Sequence, residues 1–221
     1  MTIAPWPVIG VRAGIVAVGV ALWFWTQAVI AKRAPKVAYE EPLADGIHVL
    51  TERIHRRYVT NVAAGNRLLI ISSLVIDLLG AYLLASAVFG ESFRPFLGLA
   101  MVFALRQICQ ALCPLPAPSG MVWRYPGVPS ILVTYGTVND LFFSGHTAIA
   151  VYGAATLAER CGFWGLTLGL VIALFEAITV LVLRAHYTMD VFTGIICALW
   201  VYSFSGQIAS HVDATIRHFA G

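Results

Sequence analysis

RLLIISSLVIDLLGAYLLASAVFG, residues 67–90, has the length and apolarity of a helix that crosses a bilayer. A hydrocarbon core about 30 Å thick asks for ~20 apolar residues per crossing. Five further stretches come near that requirement, at about 8–31, 94–113, 140–158, 162–184 and 187–209. The chain of 221 residues is 59% hydrophobic and 11% charged, with a mean hydropathy of +0.82, outside the usage of soluble domains. The pattern predicts an all-α integral membrane protein: a bundle of six transmembrane helices in which residues 1–221 form one membrane domain. Gly14, Gly19, Gly98, Gly153, Gly165, Gly169 and Gly194 suit close helix packing in lipid and carry no chemistry by themselves.

Outside the spans the chain is polar in two places. Residues 32–66 carry Lys32, Arg33, Lys36, Arg53, Arg56 and Arg57, while Ile47, Leu50, Ile54 and Tyr58 recur at helical spacing. That combination predicts an interfacial amphipathic helix whose basic residues meet anionic headgroups. The second, LCPLPAPSGMVWRYPGVPSILVTYGTVND at 112–140, is rich in proline, glycine and aromatics, as an ordered non-helical loop at the membrane surface would be. A net charge of +3, dispersed in short stretches, gives no nucleic-acid footprint. Cys109, Cys113, Cys161 and Cys197 lack CxxC spacing, so neither a zinc site nor a disulfide framework is argued. The first apolar run follows an opening without a basic region and reads as a retained helix.

Ionisable groups are costly in lipid, so those at the ends of spans are functional candidates. Asp140 and His146 begin the fourth span, His186 and Asp190 the sixth, Arg106 nears the end of the third and Arg184 ends the fifth. In an up-and-down bundle all six share one membrane face. His186 and Asp190 are four residues apart, so a carboxylate on the same helical side can orient the imidazole as nucleophile or base. His146 can then deliver a proton to a departing oxygen. The Ser144 and Thr147 hydroxyls, with the Gly145 backbone at a helix start, suit a phosphate oxygen, and Arg106 and Arg184 would neutralise its charge. Asp140 is placed to tune the site or cap the helix. Taken singly, each histidine is an ordinary interfacial anchor and each arginine a snorkelling side chain; coincidence on one face is what points to chemistry. Glu176, inside the fifth span, fits either a site or a helix–helix contact.

NDLFFSGHTA (139–148) and AHYTMDV (185–191), with Leu105–Arg106 and LPAP (115–118), resemble the sphingomyelin synthase branch of the type-2 phosphatidic acid phosphatase superfamily. That resemblance implies a six-helix bundle of the lipid phosphatase/phosphotransferase type and a covalent phosphohistidine route without metal or cofactor. It implies His146, His186 and Asp190 as the catalytic trio: His186 attacks phosphorus, and His146 protonates the leaving group and then activates the acceptor. The implied partners are a phospholipid donor bearing phosphocholine or phosphoethanolamine and a lipid alcohol, ceramide or diacylglycerol. The chain departs from the pattern in places. Arg106 stands where the superfamily has lysine, Cys113 precedes Pro114 where it has arginine, Asn139 replaces glycine, and Val180 falls where its other arginine would be, with Arg184 one turn on.

The resemblance implies an active face turned outward or toward the lumen. The charges point the other way, since Lys32, Arg33, Lys36, Arg53, Arg56, Arg57, Arg67 and Arg124 gather at the catalytic end, against Arg12, Arg94, Arg160 and Arg217. Three rival functions use the same residues differently: a lipid phosphate phosphatase with water as acceptor, an intramembrane serine protease with Ser144 as nucleophile, and a non-enzymatic lipid-binding or transport protein.

Overall fold

A computed structural model of the chain describes residues 3–32, 43–113, 115–133, 135 and 141–220. Within them the chain forms α1 (Trp6–Ala31), α2 (Gly46–Thr60), α3 (Val62–Phe89), α4 (Arg94–Leu112), α5 (Gly145–Val182) and α6 (Thr188–Ala220), with no strand among the described residues. All but α2 are long and apolar enough to cross a membrane, which makes this an integral membrane protein.

The helix ends follow local chemistry. Pro7 and Pro95 sit in the first turns of α1 and α4, where no intrahelical N–H is owed. The helix of the second span starts at Val62, five residues before the apolar run, because Asn61 closes α2 and its side chain accepts from Ala64 N at 3.0 Å. Within the expected interfacial segment 32–66, α2 and the start of α3 together make residues 46–66 helical apart from Asn61, and α6 runs eleven residues past the expected end at 209.

Within α5, Gly162 has φ 58° and ψ −135°. Past it the chain doubles back: a Cβ at Gly169 would stand 2.5 Å from Ala154 Cα, and one at Gly165 2.1 Å from the Leu157 carbonyl oxygen. Fifteen residues of unbroken helix would separate Gly169 from Ala154 by ~22 Å. α5 is thus two antiparallel arms meeting at a glycine, as the separate runs 140–158 and 162–184 anticipate. The turn returns Val182 to the end of the molecule from which Gly145 started.

Ile76, Leu83, Val102, Tyr152, Ala198 and Val201 are buried at 1% exposure or less and join α3, α4, α5 and α6. Tyr152 fits because Gly98 has no side chain in its way, and its hydroxyl donates to Arg94 O at 2.9 Å. Leu170, Val171, Leu174 and Ile178 point outward, as lipid-facing residues do. At the end where α3 meets α4, Arg12 donates to Gly90 O (2.7 Å) and Asp213 Oδ1 (2.7 Å), pinning α1 and α6 to that connection.

Candidate active site

The opposite end holds the turn between α5 and α6. Ala185 N and His186 N both reach back to Val180 O (2.8 and 3.4 Å), and Val122 N donates to Leu183 O at 2.8 Å. Arg184 adopts φ 53°, left-handed backbone that a side chain rarely accepts at a cost of about 1–2 kcal/mol. Its guanidinium holds the conformation in place through Ser119 O at 2.8 Å and the Glu52 carboxylate.

The helix that sequence periodicity assigns to the interface is also the buttress of this turn. α2 exposes Val49, Leu50 and Ile54 but buries His48 and His55 on its other side. His48 Nε2 donates to His186 O at 3.0 Å and His55 Nδ1 to Val182 O at 2.8 Å, since a carbonyl can only accept. Asp45 caps two helices at once. Its Oδ1 accepts from Ile47 N (2.9 Å) and from the Thr188 hydroxyl (2.7 Å), and its Oδ2 from Thr188 N (2.6 Å). Burial raises the pKa of this carboxyl, but the hydrogen bonds from Thr188 and His48 outweigh it and leave it below 3.8. Sequence reasoning missed Asp45, His48 and His55.

His186 itself precedes α6 by two residues, so the expected i,i+4 pairing along one helix becomes a turn residue facing a first-turn carboxylate. The consequence is the same: His186 Nδ1 lies 3.4 Å from Asp190 Oδ2, long for a hydrogen bond but within pairing range. Asp190 is fully buried, its Oδ2 held by Tyr187 N at 2.9 Å, while its own carbonyl accepts from Ser144 N at 3.1 Å. That last bond ties the start of α6 to the start of α5, where His146 sits in the first turn. His146 and His186 line one buried cavity of about 40 Å³ together with Arg106, Gly145 and Trp123. His146 Nε2 is buried there without a hydrogen-bond partner among the described residues, and the Trp123 ring meets the imidazole edge-on at 5.2 Å. Trp123 is a second omission, for the loop that carries it gives no periodic signal.

The other expected site residues divide. Arg106 is buried beside Gly145, where a Cβ would stand 3.0 Å from its Nε, and that Nε donates to Phe143 O at 2.9 Å. The Ser144 and Thr147 hydroxyls lie 3.0 Å apart, and Ser144 accepts from Thr147 N at 3.4 Å as the cap of α5. Arg184 turns away from the histidine cavity into a separate one of about 260 Å³ with Asp45, His48 and Glu52. Glu176 accepts from the Ser72 hydroxyl at 2.6 Å, a contact between α3 and α5. Asp140 lies outside the described residues.

The family model AtPDCT1/2 matches residues 44–207, about three quarters of the chain, from the Asp45 cap of α2 to the middle of α6. No curated protein and no solved structure matches the chain. The match corrects the attribution drawn from SGHT and HYTMD: the family is neither the sphingomyelin synthase branch nor the type-2 phosphatidic acid phosphatases. Ceramide falls away with that attribution. The chain belongs to the AtPDCT1/2 family, named for phosphatidylcholine:diacylglycerol cholinephosphotransferase, and is thereby a membrane-lipid phosphotransferase.

Proposed function

We propose that this protein moves phosphocholine from phosphatidylcholine to diacylglycerol by way of a phosphohistidine at His186. The observation that carries the reading is the shared buried cavity of His146 and His186, with the Asp190 carboxylate 3.4 Å behind His186 Nδ1. With Nδ1 turned to the carboxylate, Nε2 is the nucleophilic nitrogen. It attacks phosphorus, the bond to the glycerol oxygen breaks, and the departing diacylglycerol takes a proton from His146. A second diacylglycerol then gives its hydroxyl proton to His146 and attacks, breaking the P–N bond and releasing phosphatidylcholine. Leaving group and acceptor are the same kind of alcohol, so one acid–base residue serves both halves by microscopic reversibility. Arg106 and the α5 N-terminus offer positive charge to the phosphoryl oxygens.

Protein in vesicles given headgroup-labelled phosphatidylcholine should yield an acid-labile label on His186 that chases into new phosphatidylcholine when diacylglycerol is added. Release of free phosphocholine in its place would establish a hydrolase, and no adduct at all would remove the covalent route.

Six crossings, with each arm of α5 spanning once, put both ends of the described chain on the side opposite the site. Lys32, Arg33, Lys36, Arg53, Arg56, Arg57, Arg67 and Arg124 at the catalytic end outnumber Arg12, Arg94, Arg160 and Arg217 at the far end, and that excess supports a cytoplasmic active face. A cysteine placed at Arg53 should resist impermeant reagents in intact cells and react after permeabilisation; labelling in intact cells reverses the assignment.

A further inference from the structure

A third cavity, of about 280 Å³, opens between the apolar stretches of α1 and α4. Its walls are mostly apolar, and two of its lining residues, Phe103 and Leu132, also line the histidine cavity. Leu132 is seated on the bare backbone of Gly80, where a Cβ would lie 2.1 Å from its Cδ1, and the Phe103 ring packs 5.0 Å from Trp23. One side chain from the loop and one from α4 therefore divide the two spaces. Successive residues of α4 face them in turn: Arg106 lines the reaction chamber and Gln107 the cleft.

The cleft is not uniformly apolar. Gln107 Nε2 donates to the Thr26 hydroxyl, a polar rung one residue along from Arg106. On the same wall Trp23 is buried, and its indole N–H has no acceptor among the described residues. That N–H is enclosed by protein, so the Thr26–Gln107 rung is the polar group set in the cleft wall. Among the described residues no charged side chain lines the cleft. A phosphocholine headgroup would find no counter-charge there, whereas a neutral lipid with ester carbonyls and one hydroxyl matches an apolar slot with uncharged donors.

We propose that the α1–α4 cleft is the entry and holding site for the acyl chain of the diacylglycerol acceptor, with the ester end at Trp23 and the Thr26–Gln107 rung and the hydroxyl passing between Phe103 and Leu132 to His146. The assignment rests on the phosphotransferase reading for the identity of its lipid, while the cleft is tested without turnover. In nanodiscs of phosphatidylcholine, a diacylglycerol bearing a diazirine on one acyl chain should label peptides of α1 and α4 around Trp23 and Phe103. Ala104→Phe, which fills the cleft, should lower that labelling about tenfold, the scale set by overpacking a fitted site. A matched diazirine phosphatidylcholine should label these peptides far less. Labelling that maps to other helices, survives Ala104→Phe, or is equal for the two lipids would overturn the proposal. The wild-type map needs no variant to fold. If the wild type transfers no phosphocholine yet is labelled in the cleft, the functional reading fails and the cleft stands; transfer with no cleft labelling has the opposite meaning.

Discussion

At the scale of single residues, the gathering of His146, His186 and Asp190 at one end of the bundle is legible in the sequence because ionisable groups in lipid need a reason to be there. Their neighbours are not, because what they do is spent on backbone. His48 and His55 bind carbonyl oxygens more than a hundred residues away, and a carbonyl has no identity in a sequence. The same logic separates chemistry from capping. Asp190→Asn removes the charge facing His186 but keeps an acceptor for Tyr187 N, so kcat is expected to fall about 10²- to 10⁴-fold, the usual reach of acid–base positioning. A steady-state assay with unchanged unfolding temperature would show it, and a loss below about tenfold would separate Asp190 from the reaction. Ser144→Ala loses the cap of α5 and should cost ~1 kcal/mol of stability while retaining turnover. A dead but well-folded Ser144→Ala protein would instead revive a serine nucleophile.

At the scale of elements, α2 shows how an apolar period can be read correctly and still mislead about role. Leu50 and Ile54 are exposed, as an interfacial helix requires, yet the helix is held by the polar face that the period ignores. Asp45 is the joint. Asp45→Asn keeps one oxygen for the α2 cap but cannot reproduce both carboxylate contacts to Thr188. A loss of about 2–4 °C in unfolding temperature is expected at neutral pH, from the ~1 kcal/mol a cap contributes in a chain of this size. The pH dependence has a definite sign. The folded pKa of Asp45 is depressed below 3.8, so its stabilisation is complete above that value and is lost as pH falls through the folded pKa. Melts recorded down a pH series should show the gap between wild type and Asp45→Asn closing on the acid side; a gap constant with pH would mean that the charge of Asp45 stabilises nothing.

At the scale of the whole molecule, the bundle is closed at its far end by one buried ion pair. Arg94 opens α4 and Arg106 lies twelve residues or ~18 Å along it, and Arg12–Asp213 sits at the Arg94 end. Asp213 also accepts from the Ser92 hydroxyl at 2.6 Å and Phe93 N at 2.8 Å, so it has more than one dependent. Sequence order shows Arg12 only as a basic residue in an apolar run, because a partner 201 positions away leaves no local trace. Removing one member of such a pair strands a buried charge, and Arg12→Ala is expected to destabilise the fold by ~3–5 kcal/mol. Exchanging both partners for apolar side chains often restores stability elsewhere, but here Arg12→Met with Asp213→Leu would still leave Phe93 N and the Ser92 hydroxyl without their acceptor. The double variant should therefore recover only part of the loss, while the folded fraction keeps its KM for its lipid substrates because the histidine cavity lies at the other end of the bundle. Unfolding curves for the three proteins in one detergent, read beside KM, test both halves: full recovery would show that Asp213 matters only as a counter-charge, and a raised KM would show that the far end is mechanically linked to the site.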